Sequence, residues 1–159
     1  MMKPFSLLAL LAFAITVTGC KPNDPPYSRE EIERQAKFDK AEADAKVSAQ
    51  RALPIFYAYL DSPDPEVRYH GVKFAPKGRE QIWVNQVRRD GNDLKGMVGQ
   101  VPVNGGYAQD DEITIPVKEI TDWSVYVHGR IEGNFLVRRM LDDIPKEEAD
   151  AIRKAYGWD

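Results

Sequence analysis

The stretch from Arg68 to Gln100, RYHGVKFAPKGREQIWVNQVRRDGNDLKGMVGQ, decides the fold. From residue 68 onward the apolar residues settle into a period of two, the spacing of a strand with one buried face. Asp90-Gly91-Asn92 separates two such runs and carries the chemistry of a hairpin turn. Strands are expected near 68–75, 80–88 and 93–100, and the same pattern continues near 111–117, 123–128 and 131–140. Asn104-Gly105-Gly106 and His128-Gly129-Arg130 read as further turns. Ile113, Ile115 and Val117 alternate with polar or proline positions, which suits one buried face and an edge strand.

Helical signals flank the strands. Ser28 with Glu31 forms a capping box, and residues 29–52 follow as a helix. Ile32, Ala36, Ala43 and Val47 recur at helical spacing, but the stripe is thin and alanine-rich, so the helix reads as a polar arm lying loosely on the domain or acting as a spacer. A coiled-coil partner is the lesser alternative, because a/d seams carry larger residues. Pro54 ends or kinks the arm. Ile55, Phe56, Tyr59 and Leu60 then mark a second helical segment packed on the core, closed by Ser62-Pro63-Asp64-Pro65. Pro145 opens a last helix through Tyr156, with Glu147 and Glu148 at its positive end and Gly157 as its cap. The fold class is α+β: an antiparallel sheet or small partly closed barrel flanked by N-terminal and C-terminal helices.

The first residues address location. Lys3 precedes an almost unbroken apolar run from Phe5 to Val17, too short for a bilayer span of roughly 20 residues but suited to a signal h-region. The run ends in Val17-Thr18-Gly19-Cys20, which resembles the bacterial lipobox. Thr18 and Gly19 are small enough for a peptidase to approach the backbone, and the Cys20 thiol can accept a diacylglyceryl group. Two or three acyl chains anchor stably where one is marginal. The competing reading is an ordinary leader or a single membrane helix, but an A-x-A-like site is not what closes the run. The chain divides into residues 1–19 as lipoprotein signal peptide, 20–27 as acylated cysteine and proline-rich tether, 28–52 as polar helical arm and 53–159 as globular domain. By analogy with sorting in enteric bacteria, Lys21 in place of Asp after the cysteine points to the outer membrane, facing the periplasm.

Removal of residues 1–19 leaves 140 of the 159 residues, enough for one modest core. Only Lys3 is lost in charge, so the net of −3 becomes −4, and no basic face for nucleic acid is evident. Cys20 is the single cysteine, which excludes an intramolecular disulfide.

The sheet region resembles the YegJ-like family of bacterial proteins, domain of unknown function 2314, over roughly residues 50–140. The resemblance rests on Leu53-Pro54 with Phe56, Val72-Lys73-Phe74, Glu80-Gln81-Ile82-Trp83-Val84, Gly96, Val101-Pro102, Ile120-Thr121-Asp122-Trp123, and Gly133 with Arg138. Three positions depart from the pattern. Gln81 stands where His is usual, Val101 where Asn is expected and Leu136 where Thr is common, so a polar pocket built from those side chains is altered here. The family has no assigned chemistry, and the resemblance implies fold and kinship only.

Trp83 and Trp123 are the conspicuous aromatics, either a shallow platform for a ligand, peptide or glycan or, more commonly, core residues. Asp122 at a strand start reads first as a cap for backbone N–H groups. Arg138, Glu80 and Lys73 form either a cluster that orients an anion or an ordinary cross-strand ion pair. His70 and His128 do not make a zinc site by themselves, since three or four ligands are needed. Ser124 and His128 are four apart along a strand, about 13 Å, which is no catalytic pair. No cofactor motif stands out. The favoured function is a non-catalytic binding or protein-interaction module, held to the membrane through the lipid on Cys20 and engaging an envelope protein. The alternative is an envelope hydrolase or sugar-active enzyme that uses loop carboxylates with raised pKa values.

Overall fold

The structure, a computed structural model, describes residues 27–76, 80–100 and 106–158. The signal segment, Cys20, most of the tether, Val101 and the turn residues 104–105 lie outside these residues.

α1 (Arg29–Arg51) starts at the Ser28–Glu31 capping box, in which each residue's side chain meets the other's backbone N–H. α2 (Leu53–Leu60) follows after a one-residue break, with Pro54 in its first turn. Six strands come next: β1 (Val67–Phe74), β2 (Ile82–Asp90), β3 (Asp93–Val98), β4 (Glu112–Ile115), β5 (Ile120–Val127) and β6 (Arg130–Gly133). They form one sheet in the order β4-β3-β2-β1-β5-β6, every pair antiparallel. β1 to β4 run as a meander. The chain then returns through Pro116 and a 3-10 turn, Val117–Glu119, to lay β5 on the far side of β1. From Ile115 to Ile120 the chain reaches at most about 18 Å, whereas four strand spacings in a flat sheet measure roughly 19 Å. The sheet therefore curls, yet β4 and β6 do not pair and it stays open.

Two hairpins follow the turn residues: Gly91-Asn92 between β2 and β3, and His128-Gly129 between β5 and β6, the latter pair both at positive φ. α4 (Lys146–Tyr156) has Pro145 at its N-cap and left-handed Gly157 at its C-cap.

The core lies between the concave sheet face and the two N-terminal helices. Ala49, Leu53 and Phe56 pack against Val72, Phe74, Ile82, Val84, Trp123 and Val125. Phe56 and Phe135 each approach the Trp123 ring with centroids 5.4 Å apart, and the indole N–H donates to the Ala49 carbonyl at 3.2 Å.

Several expectations are corrected. Residues 131–140 are not one strand. β6 ends at Gly133, Gly133 and Asn134 take positive φ, and Phe135–Met140 form a short helix, α3. The apolar residues there resemble a strand, but the backbone reverses before them and a buried carboxylate from β5 receives the new helix. The stripe on α1 is also misplaced. Ile32 and Val47 are 58% and 51% exposed, while the opposite face docks through Ala45 and Ala49. Small side chains let the helix backbone come close enough to the sheet for the Trp123 bond. Ile55 is exposed as well, leaving Leu53 and Phe56 as the buried residues of α2.

The β6 edge is covered. Arg138 donates to the carbonyls of Gly133 at 2.9 Å and Ile131 at 3.3 Å, and the Trp158 indole donates to Ile131 O at 2.5 Å. The Arg138 guanidinium stacks on the Trp158 ring at 3.8 Å.

Candidate binding site

Alternation along β2 turns Ile82 and Val84 into the core and leaves half-buried Trp83 on the other face. Register then sets Trp83 beside Lys73 of β1, and Lys73 beside Asp122 of β5. The three form one transverse row near the end of the sheet. A register shift after Lys73 displaces Thr121, whose hydroxyl lies 3.1 Å from the Lys73 carbonyl and 3.0 Å from Gln81 Oε1. The Gln81 amide donates to Glu42 of α1. Helix α1 and strands β1, β2 and β5 are thus tied at this corner by Glu42, Gln81 and Thr121.

Asp122 is 2% exposed. Its Oδ1 accepts the N–H groups of Trp123 at 2.8 Å and Phe135 at 3.0 Å, and its Oδ2 accepts that of Leu136 at 3.1 Å. The carboxylate thus caps α3 from another strand and satisfies amides that a helix start leaves open. Burial pushes its carboxyl up, opposed by these three N–H groups and by the Lys73 charge.

Lys73 is the cation of the row. Burial holds its ammonium below the ordinary value of 10.5, with Glu42 and then Asp122 pulling the other way. Among the described residues no carboxylate comes within ion-pair distance of it. Because the folded chain binds fewer protons than the unfolded one between the lowered value and 10.5, stability from this group rises as pH rises through that window. Lys73→Met is expected to abolish this alkaline rise and leave neutral-pH stability unchanged or higher, as read by denaturation at pH 7 and pH 10. A fall at pH 7 would show that the pull of Glu42 and Asp122 outweighs burial.

The other residues singled out in the sequence have separate places. Trp123, 2% exposed, belongs to the core and is no platform. Arg138 sits on α3 and not on a strand, held by the β6 carbonyls and Trp158. Glu80 lies in the bend before β2, adjacent to Gln81. His70 meets the Tyr59 carbonyl at 3.1 Å, and exposed His128 meets Asp64 at 2.9 Å. Glu42 escaped the sequence reading because nothing in a polar helix says which acid faces the sheet. Gln81 was visible only as a departure from a family pattern. Leu136, a second departure, gives its N–H to Asp122, so both positions meet this corner.

A family described as "Uncharacterized protein conserved in bacteria (DUF2314)" matches residues 39–159. The chain belongs to the DUF2314 family. The match takes in the second half of α1, in keeping with the burial of Ala45 and Ala49. This DUF2314 chain is also similar to a putative ankyrin repeat protein of Neisseria meningitidis serogroup B, 26% identical over 81 residues. That stretch is 50% of this chain and 32% of the relative, so the chain spans about a third of the relative's length. No solved structure matches.

Proposed function

We propose that this DUF2314 chain is a lipoprotein held at the cell envelope through Cys20, and that its domain is a non-catalytic module that binds another protein. The binding half rests on Asp122. A carboxylate hydrolase needs a buried acid with a raised pKa and an oxygen free to move a proton. Asp122 is buried and its carboxyl is pushed up, but both oxygens are occupied by backbone N–H groups that build the fold. What the row offers a ligand is the Lys73 cation beside the Trp83 ring, a recognition surface. The name of the Neisseria relative, a repeat protein, agrees with an interaction role, since repeat arrays present extended binding surfaces. The anchoring half rests on Val17-Thr18-Gly19-Cys20.

In cells fed an alkyne fatty acid, the wild-type chain is expected to label and to sediment with membranes, and Cys20→Ser to do neither. An unlabelled, soluble wild type would remove the anchor. For the binding half, tagged protein from detergent-solubilised envelope is expected to recover one stoichiometric partner. Turnover of envelope polymers, lost in a folded Asp122→Asn variant, would overturn the non-catalytic reading.

A further inference from the structure

β1 is irregular near its start. Its pairing with β5 slips between Arg68 and Gly71, and Tyr69 inside that slip takes φ 55. Left-handed backbone suits glycine or asparagine, and a bulky residue there is an outlier. Burial does not compensate, because Tyr69 is 78% exposed. The bulge instead lifts the ring out of the sheet beside two partners. Tyr126 of β5 meets it edge to face at 6.2 Å, and the Arg68 guanidinium lies 5.5 Å from the Tyr69 centroid and 5.0 Å from that of Tyr126. The carboxylate nearest Arg68 is that of Glu66, at 3.7 Å and half exposed, so the cation keeps capacity for another acid. This cluster stands at the opposite end of β1 from Lys73.

We propose that the Arg68–Tyr69–Tyr126 cluster is the docking point for a folded protein partner, one with an apolar pocket for the Tyr69 ring and a carboxylate at its lip for Arg68. The proposal rests on the reading of the domain as a protein-binding module. Tyrosine and arginine are the residues that anchor protein interfaces, and a ring already lifted from the surface and braced by its neighbours loses little freedom on docking. Charge argues against a lipid surface as the occupant. Asp64, Glu66 and Glu132 are interspersed with Arg68 and Arg130 at this end of the sheet, whereas anionic lipid calls for a cluster of cations.

The test uses the full chain in its own bacterium, with Tyr69 replaced by a photo-crosslinking phenylalanine analogue and, in parallel strains, with the analogue at Trp83 or Ile32. The expected result is one protein adduct from position 69, absent when Arg68→Glu is added, with the crosslinked peptide carrying Asp or Glu. The captured protein, purified and titrated with the mature chain, is expected to bind Tyr69→Gly at least tenfold more weakly. Tyr69→Gly also suits the left-handed backbone, so its melting temperature is expected to be unchanged or raised. A stability loss with unchanged affinity would make Tyr69 a structural residue and overturn the proposal. An adduct from position 83 or 32 but not 69 would place the interface elsewhere while leaving a binding module. A lipid adduct at position 69 would overturn the protein partner, and no adduct from any position would count against the binding module itself.

Discussion

Gly133→Ala is expected to be among the most damaging substitutions in the chain, removing about 4 kcal/mol or more of stability. Gly133 has φ 80, and a Cβ there would stand 2.1 Å from the Trp123 carbonyl oxygen and 2.5 Å from Trp123 Cε3. Neither atom can easily withdraw. The oxygen accepts the Asn134 N–H at 2.8 Å, and the ring is fixed between Phe56 and Phe135. Such a loss is a large share of the roughly 5–15 kcal/mol that holds a domain folded. Gly91→Ala supplies the control, because φ there is 61 and nothing lies within 4 Å of the added carbon. It is expected to lose only the left-handed backbone penalty, about 1 kcal/mol. Urea denaturation of the two variants separates crowding from backbone conformation, and equal losses would mean that Trp123 yields to the added carbon at Gly133 without cost.

Asp122→Ala is expected to cost about 3 kcal/mol, because it deprives three amides of their acceptor in a largely dry corner. Asp122→Asn tests the reason. One amide oxygen can replace Oδ1 for Trp123 and Phe135, but the NH2 group then faces the Leu136 N–H, donor against donor. A loss between that of alanine and zero is therefore expected. The pH dependence has the opposite sense to that of an ordinary paired carboxylate. The folded pKa is raised, so the native chain binds more protons in the window between the unfolded value and the raised one, and stability from this group falls as pH rises through it. Asp122→Asn should remove that slope, measured as denaturation midpoint between pH 4 and pH 7. A midpoint indifferent to both substitutions would mean that Asp122 does not hold α3.

The sequence carries local information well and distant information poorly, and individual residues show where the line falls. The Ser28–Glu31 box, the Gly91-Asn92 turn, Pro145 and Gly157 act within a few residues of themselves, and each is legible. The break at Gly133 is not, because Phe135, Leu136 and Val137 continue an apolar run. What makes them a helix is a carboxylate 14 residues upstream, together with two positive φ angles. The docking face of α1 misleads for a related reason. Its larger side chains face outward, and the residues that touch the sheet are alanines chosen by distance and not by hydrophobicity. For the site, Trp83, Lys73 and Asp122 could be singled out by type and by family pattern, but only strand register makes them neighbours. Tyr69 gave no signal at all, since the sign of a backbone angle is not written in a tyrosine.

The exposed half of α1 has a mechanical consequence. Residues 29–40 are all exposed, and only the part beyond them is clamped to the domain. Twelve residues of helix span about 18 Å, while the same residues drawn out reach roughly 40 Å. A helix of that length, supported by surface pairs such as Arg29–Glu33 and Lys40–Asp44, is marginal without further packing. Light tension should unravel it from its first turn and stop where Ala45 and Ala49 engage the core. Pulled from its N-terminal side, this half of the helix would lengthen at low tension and so limit the load on the sheet until its unclamped turns are spent.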